Sequence, residues 1–336
     1  MANIRDVARA ADVSITTVSR ILSGDSGFHT TEATRERVLA AAARLNYACK
    51  SASRRKKLRI GCIFAYTTEK FADPFFEEIL AAAEVECSLQ GAVISFKKNY
   101  EDISNPLFMQ ELRAAELDGL ILMERLPEEM YRQIEEVVGH IVSVDDTETD
   151  HGFDGVGFDH VAANRQVMDC LITHGYRRIG IISGGSPDEP FSQAIRLMVY
   201  RESLHRAGIP YDSALVRDCN WDLDTCAVQA RELLSLPDPP DAIFAGSDSL
   251  ASVVLGTLYS MGLRCPRDVG VIGFNNISLS SHMIPPLTTV DIPVEQIGFA
   301  AVRRLMHKIQ GEGKHPCKLL FPTTLVIRES LREVIK

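Results

Sequence analysis

The 336-residue sequence lacks three features, and each absence excludes a class of protein. No apolar run approaches the roughly 18 residues that a membrane span needs, and Arg5 and Asp6 interrupt the N-terminal stretch where a signal peptide has its apolar segment. The eight cysteines are scattered and form no C-x-x-C pair. We therefore expect a cytosolic protein with reduced, mostly buried thiols, and neither structural disulfides nor a zinc site.

Signatures of nucleotide-dependent enzymes are missing as well. No G-x-G-x-x-G motif follows the strand predicted at Leu58–Tyr66, and no P-loop pattern G-x-x-x-x-G-K-[ST] occurs. No combination of nucleophile, base and carboxylate stands out either. The sequence therefore disfavours an α/β enzyme such as a dehydrogenase or a sugar kinase, and it predicts no cofactor.

Charge is distributed unevenly along the chain. The formal net charge is −9, but residues 1–59 hold twelve Lys and Arg against five acidic residues, a balance of +7 that leaves −16 for the remainder. A small basic segment ahead of a large acidic one is typical of a protein in which only one part contacts nucleic acid.

Three short amphipathic helices are predicted in the first fifty residues, because the apolar positions there follow helical spacing. Ser14 is a good N-cap for the second helix and Thr31 for the third. Two helices joined by a tight turn and closed by a third form a helix-turn-helix, whose second helix enters the major groove of DNA. The apolar positions are Ile4, Val7, Ala8 and Ala11, then Val18, Ile21 and Leu22, then Val38, Ala41, Ala42 and Leu45.

Candidate DNA contacts follow from the predicted second helix. Steps of 100° per residue place Thr16 and Arg20 on the face opposite the buried Val18. Arg20 can donate two hydrogen bonds to guanine, and Thr16 can contact a thymine methyl. The short hydroxyl side chains suited to phosphate contacts are Ser14, Thr17 and Ser19.

Two points about this segment stay open on these grounds alone. Ile15 lies where it can either pack in the core or reach a thymine methyl. The three helices can also form a protein-binding module, although DNA binding is favoured. His29, in the loop before the third helix, joins the candidate DNA-binding set.

These residues carry a resemblance to a known family. The run from Ile4 to Leu22, followed by Thr34-Arg35-Glu36-Arg37-Val38 and Leu45-Asn46-Tyr47, resembles the headpiece of the LacI/GalR family of bacterial transcription regulators. The resemblance implies that Ile15, Thr16 and Arg20 read bases, and that two headpieces of a homodimer bind a palindromic double-stranded operator.

Residues 50–59 form a basic linker that departs from the family pattern. In the family this segment is a short helix that orders on the operator and wedges a leucine into the minor groove. Here Cys49 stands where a proline is usual, Lys56 stands where the leucine is expected, and the linker is a few residues short.

Three hypotheses for the linker remain open. Leu58 can take the wedge role after a register shift, the basic run can bind phosphates without kinking the duplex, or the linker can stay clear of DNA. The second hypothesis is favoured because Leu58 also begins an apolar strand. It assigns phosphate contacts to Arg54, Arg55 and Lys56.

From Leu58 onward, predicted strands and helices alternate. Buried strands that alternate with helices indicate parallel sheets, and about 220 residues of this pattern exceed what one sheet comfortably holds. The predicted fold is therefore a small all-α helix-turn-helix headpiece plus an α/β core of two doubly wound parallel-sheet lobes. The predicted strands after Leu58–Tyr66 are Ala92–Phe96, Gly119–Met123, Ile141–Asp145, Phe153–Phe158, Arg178–Ser183, Leu215–Cys219, Ala242–Ala245, Val269–Phe274 and Lys318–Ile327.

The predicted domains are a headpiece at 1–49, a linker at 50–59 and an effector-binding and dimerisation domain at 60–336. Lobe 1 is expected at about 60–159 and 292–320, and lobe 2 at about 160–291 and 321–336. The chain then crosses between the lobes near Asp159, Asp291 and Phe321.

Ligands of doubly wound sheets bind beyond the carboxyl ends of the strands, and the residues there suit a sugar. Several of the residues beyond the strand ends also have a purely structural interpretation. Asp145 and Asp248 can cap helices, Trp221 can be part of the core, and Asn275-Asn276 can form a turn. The candidates taken from these strand ends include Phe71, Asp73, Phe75, Asp145, Trp221, Ser247, Ser249 and Asn275.

The family resemblance continues through His174–Gly180, Ala245–Asp248, Val271–Asn276 and Pro285–Val290, and implies a periplasmic-binding-protein-like core. Carried over by position, it places sugar-binding roles on Asp145, Phe158, Arg196, Trp221, Ser247, Ser249 and Asn275. The set Asp145, Arg196 and Trp221 is similar to that of galactoside-responsive members, whereas Ser247, Asn275 and Ile292 depart from it. A galactoside is therefore the leading expectation for the small-molecule sugar effector.

Assembly and regulation follow from the same resemblance. We expect a homodimer formed through helices Pro74–Gln90 and Ser249–Met261, and no leucine heptad follows for a tetramer. The expected mechanism is a repressor that its sugar releases from DNA. A corepressor-type regulator, or an activator that responds to another metabolite, is the alternative.

Overall fold

The computed structural model describes residues 4–22, 28, 30–45, 57–65, 73–145, 152–185, 190–313 and 315–333. The chain divides into two compact units, Met1–Lys57 and Leu58–Lys336. Among the described residues, no helix is long and apolar enough to cross a membrane.

The first unit contains the three predicted helices, α1 (Ile4–Ala11), α2 (Ile15–Leu22) and α3 (Glu32–Arg44). Val7, Val18 and Val38, one from each helix, are fully buried in a shared core. Thr31 begins α3 as predicted, because its Oγ1 accepts a hydrogen bond from the backbone N–H of Thr34 at 3.3 Å. The prediction of three helices is confirmed.

Six strands of the second unit form one parallel sheet in the order β11-β5-β4-β3-β1-β2. Every residue of β3, β4 and β5 is buried, as expected for a parallel sheet covered on both faces. The strands are β1 (Leu58–Phe64), β2 (Ala92–Lys98), β3 (Gly119–Met123), β4 (Ile141–Val144), β5 (Asp154–Phe158) and β11 (Lys318–Phe321), with helices α4 (Pro74–Leu89), α5 (Tyr100–Ile103), α6 (Phe108–Ala114), α7 (Glu128–Glu135) and α12 (Val294–Ile309).

A second parallel sheet has four strands in the order β7-β6-β8-β9. We call the six-stranded layer and its helices lobe 1, and the four-stranded layer and its helices lobe 2. The strands of lobe 2 are β6 (Ile179–Ser183), β7 (Val216–Asp218), β8 (Ala242–Ala245) and β9 (Gly270–Ile272), with helices α8 (His160–Thr173), α9 (Ile195–Arg206), α10 (Leu223–Leu234) and α11 (Asp248–Ser260).

The prediction of a single strand at Lys318–Ile327 is wrong. The segment forms two strands, because Pro322 has no N–H for a strand ladder and interrupts the pairing. The first part, β11, lies beside β5 in lobe 1. The second part, β12 (Thr324–Val326), pairs antiparallel with β10 (Thr289–Asp291) to form a two-stranded crossover between the lobes.

The sequence reading missed α12 entirely. This helix packs against α4, and the two come close at Gly298, where a Cβ would lie 2.6 Å from the backbone oxygen of Ile79. Helix α9 begins at Ile195. Phe191–Gln193 form a 3-10 turn, and the extended backbone of Ala194 separates it from α9.

Leu58 opens β1 and pairs with Ala92 of β2. Its backbone is therefore part of the sheet, and its side chain packs against the lobe core. The strand begins inside the predicted linker 50–59, and its position argues against the hypothesis that Leu58 serves as the DNA wedge.

The described cysteines have free thiols. Five are buried, at positions 62, 87, 170, 219 and 226, and two are partly buried, at positions 265 and 317. Burial raises the pKa of Cys87 to about 12, which keeps this thiol protonated and unreactive.

Candidate effector cleft and nucleic-acid interface

The exposed face of α2 carries the residues predicted to read bases. Thr16 and Arg20 are exposed, and the guanidinium carbon of Arg20 lies 5.4 Å from the ring centroid of Phe28. Ile15 is 44 % exposed, whereas Val18 and Ile21 of the same helix are buried. The structure therefore favours the surface position over the core position for Ile15.

The hydroxyl side chains around the start of α2 hold the helix terminus. Ser14 Oγ accepts a hydrogen bond from the Thr17 N–H at 3.0 Å and lies 2.8 Å from Thr17 Oγ1. Ser19 is half-buried on the same helix. Four other predicted DNA contacts lie outside the described residues: His29, Arg54, Arg55 and Lys56.

In the second unit, residues that follow the strand ends of the two lobes lie close together, and we call the region between them the cleft. Asp73 begins α4 and accepts a hydrogen bond from the Phe75 N–H at 3.1 Å. Its Oδ1 also accepts a long hydrogen bond, 3.5 Å, from Asn275 Nδ2 of lobe 2. The structure thus brings Asp73 and Asn275 together from positions 202 residues apart. The predicted Phe71 lies outside the described residues.

Aromatic side chains form the floor of this cleft. The ring centroid of Phe274 lies 6.0 Å from that of Phe158 and 6.4 Å from that of Phe244, and all three side chains are buried. Phe75, also predicted, is buried in the same core cluster. These rings provide an apolar base beneath the polar groups.

Arg196 lies over the aromatic floor. Its guanidinium carbon is 4.4 Å from the ring centroid of Phe274, 5.4 Å from that of Phe244 and 5.8 Å from that of Trp221. Burial lowers the pKa of Arg196 to about 10, against the opposing charges of Asp145 and Glu124, so it stays protonated at neutral pH. Its buried Nη1 has no hydrogen-bond partner among the described residues. The rings therefore stabilise a cation that still has a donor to offer.

Trp221 is fixed by its backbone and by two glycines. It has a left-handed φ of 62°, and its indole Nε1 donates to the backbone oxygen of Gly185 at 2.6 Å. A Cβ at Gly184 would lie 2.7 Å from the indole, and one at Gly246 would lie 3.1 Å from it. The side chain is half-buried, which agrees better with a cleft wall than with the core alternative.

The predicted residues at the end of β8 divide into structural and cleft positions. Ser247 is buried and begins α11, since its Oγ accepts from the Leu250 N–H at 3.3 Å. Asp248 accepts hydrogen bonds from Ser280 and Thr289, both at 2.6 Å. Asp248 is thus a structural group, but it is not the helix cap that the sequence left open as its alternative, because Ser247 caps α11. Ser249 is only half-buried.

Asn275 and Asn276 both adopt left-handed backbone, with φ of 103° and 51°. Asn276 Nδ2 donates to Asp291 Oδ1 at 2.7 Å, and its Oδ1 accepts from Arg328 Nη2 at 2.7 Å. Asn276 therefore has the structural role in a turn that the sequence left open. Its hydrogen bonds connect the loop after β9 to the crossover strands. Asn275 instead points toward Asp73 of the opposite lobe.

Sequence reasoning missed two titratable residues of the cleft, Glu124 and His160. Glu124 follows β3 and Asp145 follows β4, and both have a φ of 69°. His160, the first residue of α8, places its Nε2 3.0 Å from Asp145 Oδ1. The only available signal was position, because Glu124 directly follows a predicted strand and His160 lies two residues after Phe158.

Comparisons with known proteins agree with this architecture. Residues 3–49 match the family described as bacterial regulatory proteins, lacI family, and residues 168–331 match a periplasmic binding protein-like domain. The structure is similar to that of a CelR transcriptional regulator in complex with cellobiose, with a TM-score of 0.73 and 31 % identity over 98 % of this chain and 100 % of that one. The predicted fold class is confirmed.

Two further relatives are similar over nearly the full length. The CytR transcriptional repressor of Escherichia coli K12 is 30 % identical, covering 98 % of this chain and 96 % of that protein. The lac repressor dimer bound to operator and the anti-inducer ONPF has a TM-score of 0.73 and 26 % identity, with 98 % of each chain covered. The chain therefore belongs to the LacI family of bacterial regulatory proteins, as a transcriptional repressor and not an enzyme.

Proposed function

We propose that this repressor controls a carbohydrate-utilisation operon and that a glycoside effector, with a galactoside as first candidate, releases it from a palindromic operator. The observation that carries the proposal is the cleft between the lobes. There Arg196, Asp145 and Asn275 surround an aromatic floor beside Trp221. Apolar rings with a few directional polar groups suit the faces and hydroxyls of a sugar.

A β-glucoside is the second candidate for the effector. The similar CelR regulator is described in complex with cellobiose, and it resembles this chain over nearly its whole length. The replacements at Ser247, Asn275 and Ile292 set this cleft apart from the galactoside pattern. Ser247 is a buried cap and Ile292 is part of the core, so Asn275 is the departure that faces the cleft.

Operator recognition is assigned to α2 and the basic linker. Exposed Thr16, Arg20 and Ile15 would contact base edges, whereas linker charges would contact phosphates. DNA contact places the repressor in the cytoplasm. A homodimer would align two headpieces on two half-sites, which raises affinity through effective concentration.

The effector would act by changing the relative position of the lobes. Because its contacts come from both sides of the cleft, it binds the closed arrangement of the lobes better than the open one. A differential affinity of about 1–3 kcal/mol is enough to shift operator binding measurably. Release of DNA is favoured over corepression because the cleft has polar and aromatic groups suited to a sugar.

The effector assignment is tested by a thermal-shift screen of the full chain against galactosides, cellobiose, other glucosides and purines. We expect a galactoside or a glucoside to raise the melting temperature and to weaken operator binding. Arg196→Ala and Trp221→Ala should each abolish the shift, while Arg132→Ala, an exposed residue of α7, should retain it. A sugar whose binding survives both cleft substitutions would show that the site lies elsewhere.

The DNA assignment is tested by selecting binding sites from random duplexes. We expect a palindromic site, and Arg20→Ala should relax the preference at one position in each half-site at a cost of about 1–3 kcal/mol. The double change Arg54→Ala and Arg55→Ala should instead reduce the salt dependence of binding while keeping the preferred sequence. If the Arg20→Ala variant selects the same site with the same base preference at every position, this role of α2 is refuted.

A further inference from the structure

Among the residues that the structure describes, the buried polar atoms of the cleft that have no aligned hydrogen-bond partner include Asp145 Oδ1, His160 Nε2 and Arg196 Nη1. The first belongs to lobe 1, whereas His160 and Arg196 lie in the first turns of α8 and α9 in lobe 2. His160 Nε2 and Asp145 Oδ1 lie 3.0 Å apart, close enough for an ion pair but without the alignment of a hydrogen bond. The charge of Asp145 acts on both of the other groups. Buried groups of this kind normally have partners, so the arrangement calls for a ligand.

The backbone of His160 is fixed at the start of α8, and its ring packs against Phe158. Asp159 begins α8 and accepts a hydrogen bond from the Ala162 N–H at 2.8 Å, which fixes the first turn. The backbone oxygen of His160 accepts from Asn164 Nδ2 at 2.7 Å. Its ring centroid lies 4.1 Å from that of Phe158. A donor fixed in this way loses little conformational entropy when a ligand binds.

The geometry of the pair suits a hydroxyl group. A hydroxyl donates one hydrogen bond and accepts others, at oxygen distances of about 2.8–2.9 Å. Its oxygen can therefore lie beside both Asp145 Oδ1 and His160 Nε2 without separating them, donating to the carboxylate and accepting from the imidazole. The guanidinium of Arg196 can only donate, so it suits the oxygen of a neighbouring hydroxyl.

We propose that His160 is a specificity-determining residue of the effector site, which together with Asp145 binds one hydroxyl of a vicinal diol, while Arg196 binds the adjacent hydroxyl. This inference rests on the proposed role of the cleft as the effector site. It adds the requirement that the effector carries two free hydroxyls on neighbouring carbons.

The charges around His160 support an uncharged ligand. Burial by itself lowers the pKa of His160, and Arg196 does the same, but Asp145 and Glu124 more than offset them, so the pKa is raised above its ordinary value. When His160 is protonated, the positive charges of His160 and Arg196 balance the negative charges of Asp145 and Glu124. A neutral polyol fits such a site without adding net charge, whereas a sugar phosphate would bring an uncompensated anion.

Protonation also strengthens the proposed contact. A charged imidazolium donates a stronger hydrogen bond than a neutral ring. The diol therefore binds the protonated form better and raises the pKa of His160 further. By linkage, its affinity decreases as the pH rises through that pKa.

The test uses the full chain with histidine labelled at the ring carbon, followed by NMR. The probes are D-galactose, methyl β-D-galactopyranoside, D-glucose, cellobiose and adenosine, all of which carry a vicinal diol. We expect at least one probe to shift the His160 signal, to raise its titration midpoint and to bind less tightly at pH 8 than at pH 6. Single-deoxy analogues of that probe should identify two adjacent hydroxyls as essential.

Substitutions separate contact from structure. His160→Gln keeps an amide donor but cannot take up a proton, so we expect roughly tenfold weaker binding and no dependence on pH between 6 and 8. His160→Asn serves as a second variant if the first folds poorly, as judged by its melting temperature. His205→Gln, at the exposed end of α9, should leave both affinity and pH dependence unchanged.

The outcomes distinguish this inference from the proposed function. A probe that raises the melting temperature but leaves the His160 signal and the affinity of His160→Gln unchanged would overturn the inference and keep the sugar-responsive repressor. If no probe binds while the protein still binds its selected DNA site, the sugar-effector proposal fails, and the diol site fails with it.

Discussion

At the residue scale, the shape of the cleft depends on glycines, which have no side chain, as much as on the side chains around them. Gly184 and Gly246 lie against the indole of Trp221, and the backbone oxygen of Gly185 accepts its Nε1–H. The left-handed backbone of Trp221 directs the ring into this space. The position of Trp221 is therefore fixed from three sides.

Adding one methyl group at Gly184 should displace Trp221. In Gly184→Ala the new Cβ would lie 2.7 Å from the indole, so we expect a loss of about 1–3 kcal/mol in the free energy of unfolding and at least tenfold weaker sugar binding. The control is Gly256→Ala at an exposed position of α11, where no described atom lies within 4 Å of the new Cβ. That change should increase stability by about 0.5–1 kcal/mol, because alanine favours helix. Calorimetric titration with the sugar found by the screen and urea unfolding measure both effects.

Asp248 links the stability of lobe 2 to pH. Burial raises its pKa from 3.8 to about 6, although Ser280 and Thr289 donate hydrogen bonds that oppose the shift. The folded chain therefore holds a proton that the unfolded chain has already lost between these pH values. Its stabilising contribution is fully present below pH 3.8 and is lost as the pH rises through 6.

Replacing this carboxyl with an amide should remove that part of the pH dependence. One pKa unit corresponds to about 1.4 kcal/mol, so the stability of Asp248→Asn relative to the natural chain should rise by about 2–3 kcal/mol between pH 4 and pH 7. Urea unfolding across this range measures the difference. The control Asp224→Asn, which replaces an exposed carboxylate of α10, should show no comparable trend. If Asp248→Asn shows no trend either, Asp248 is ionised over the whole pH range and the prediction is wrong.

At the scale of elements, the contact between α4 and α12 contains a buried charge. Glu86 of α4 is buried and accepts from Arg303 of α12 through Nε at 2.9 Å and Nη2 at 3.1 Å. The hydrogen bonds from Arg303 hold the pKa of Glu86 below its usual range despite burial. The guanidinium covers the carboxylate from the solvent side, since the Arg303 side chain is largely exposed.

Removing Arg303 should therefore cost more than removing an exposed arginine. Arg303→Ala leaves Glu86, among the described residues, with its contact to Gln90 alone, and we expect a measurable loss of stability that is smaller than for a fully buried pair because solvent reaches the site. Arg132→Ala breaks an exposed pair with Glu128 on α7 and should change stability by under about 0.5 kcal/mol. Equal losses in the two variants would show that α4 and α12 do not depend on this pair.

At the scale of the whole molecule, large apolar side chains remain exposed on the two helices expected to form the dimer. Leu89 on α4 is 76 % exposed and Tyr259 on α11 is 86 % exposed, and Ile284 after β9 is 93 % exposed. Isolated exposed apolar residues are common on any protein surface. Their presence on both predicted helices agrees with an interface between two copies, which remains a proposal.

Charges at these positions should weaken the proposed dimer. We expect Leu89→Asp and Tyr259→Asp to shift the protein toward monomer in sedimentation velocity, because each would place a carboxylate in an apolar interface. Operator affinity should fall in parallel, since one headpiece binds one half-site. Met198→Asp, at an exposed site on α9, should leave the assembly state unchanged. A protein that sediments as a dimer with both substitutions must associate through another surface.

Local patterns in the sequence determined much of this protein. Helical spacing and capping residues identified α1, α2 and α3, and continuous apolar runs identified the buried strands of both lobes. These features depend on residues that are neighbours in the chain, so periodicity reports them directly. The residues at strand ends could also be named, because parallel strands present their carboxyl ends at one edge.

Tertiary structure alone decided how distant residues meet. Pro322 divides the last predicted strand because β11 and β12 pair with different partners, and α12 is explained by its fit to α4. The contact of His160 with Asp145 joins two lobes, and no spacing in the sequence reports that distance. The pattern of apolar and capping residues is local and therefore indicates which elements form, whereas strand pairing and the cleft arise from contacts between residues far apart in the chain.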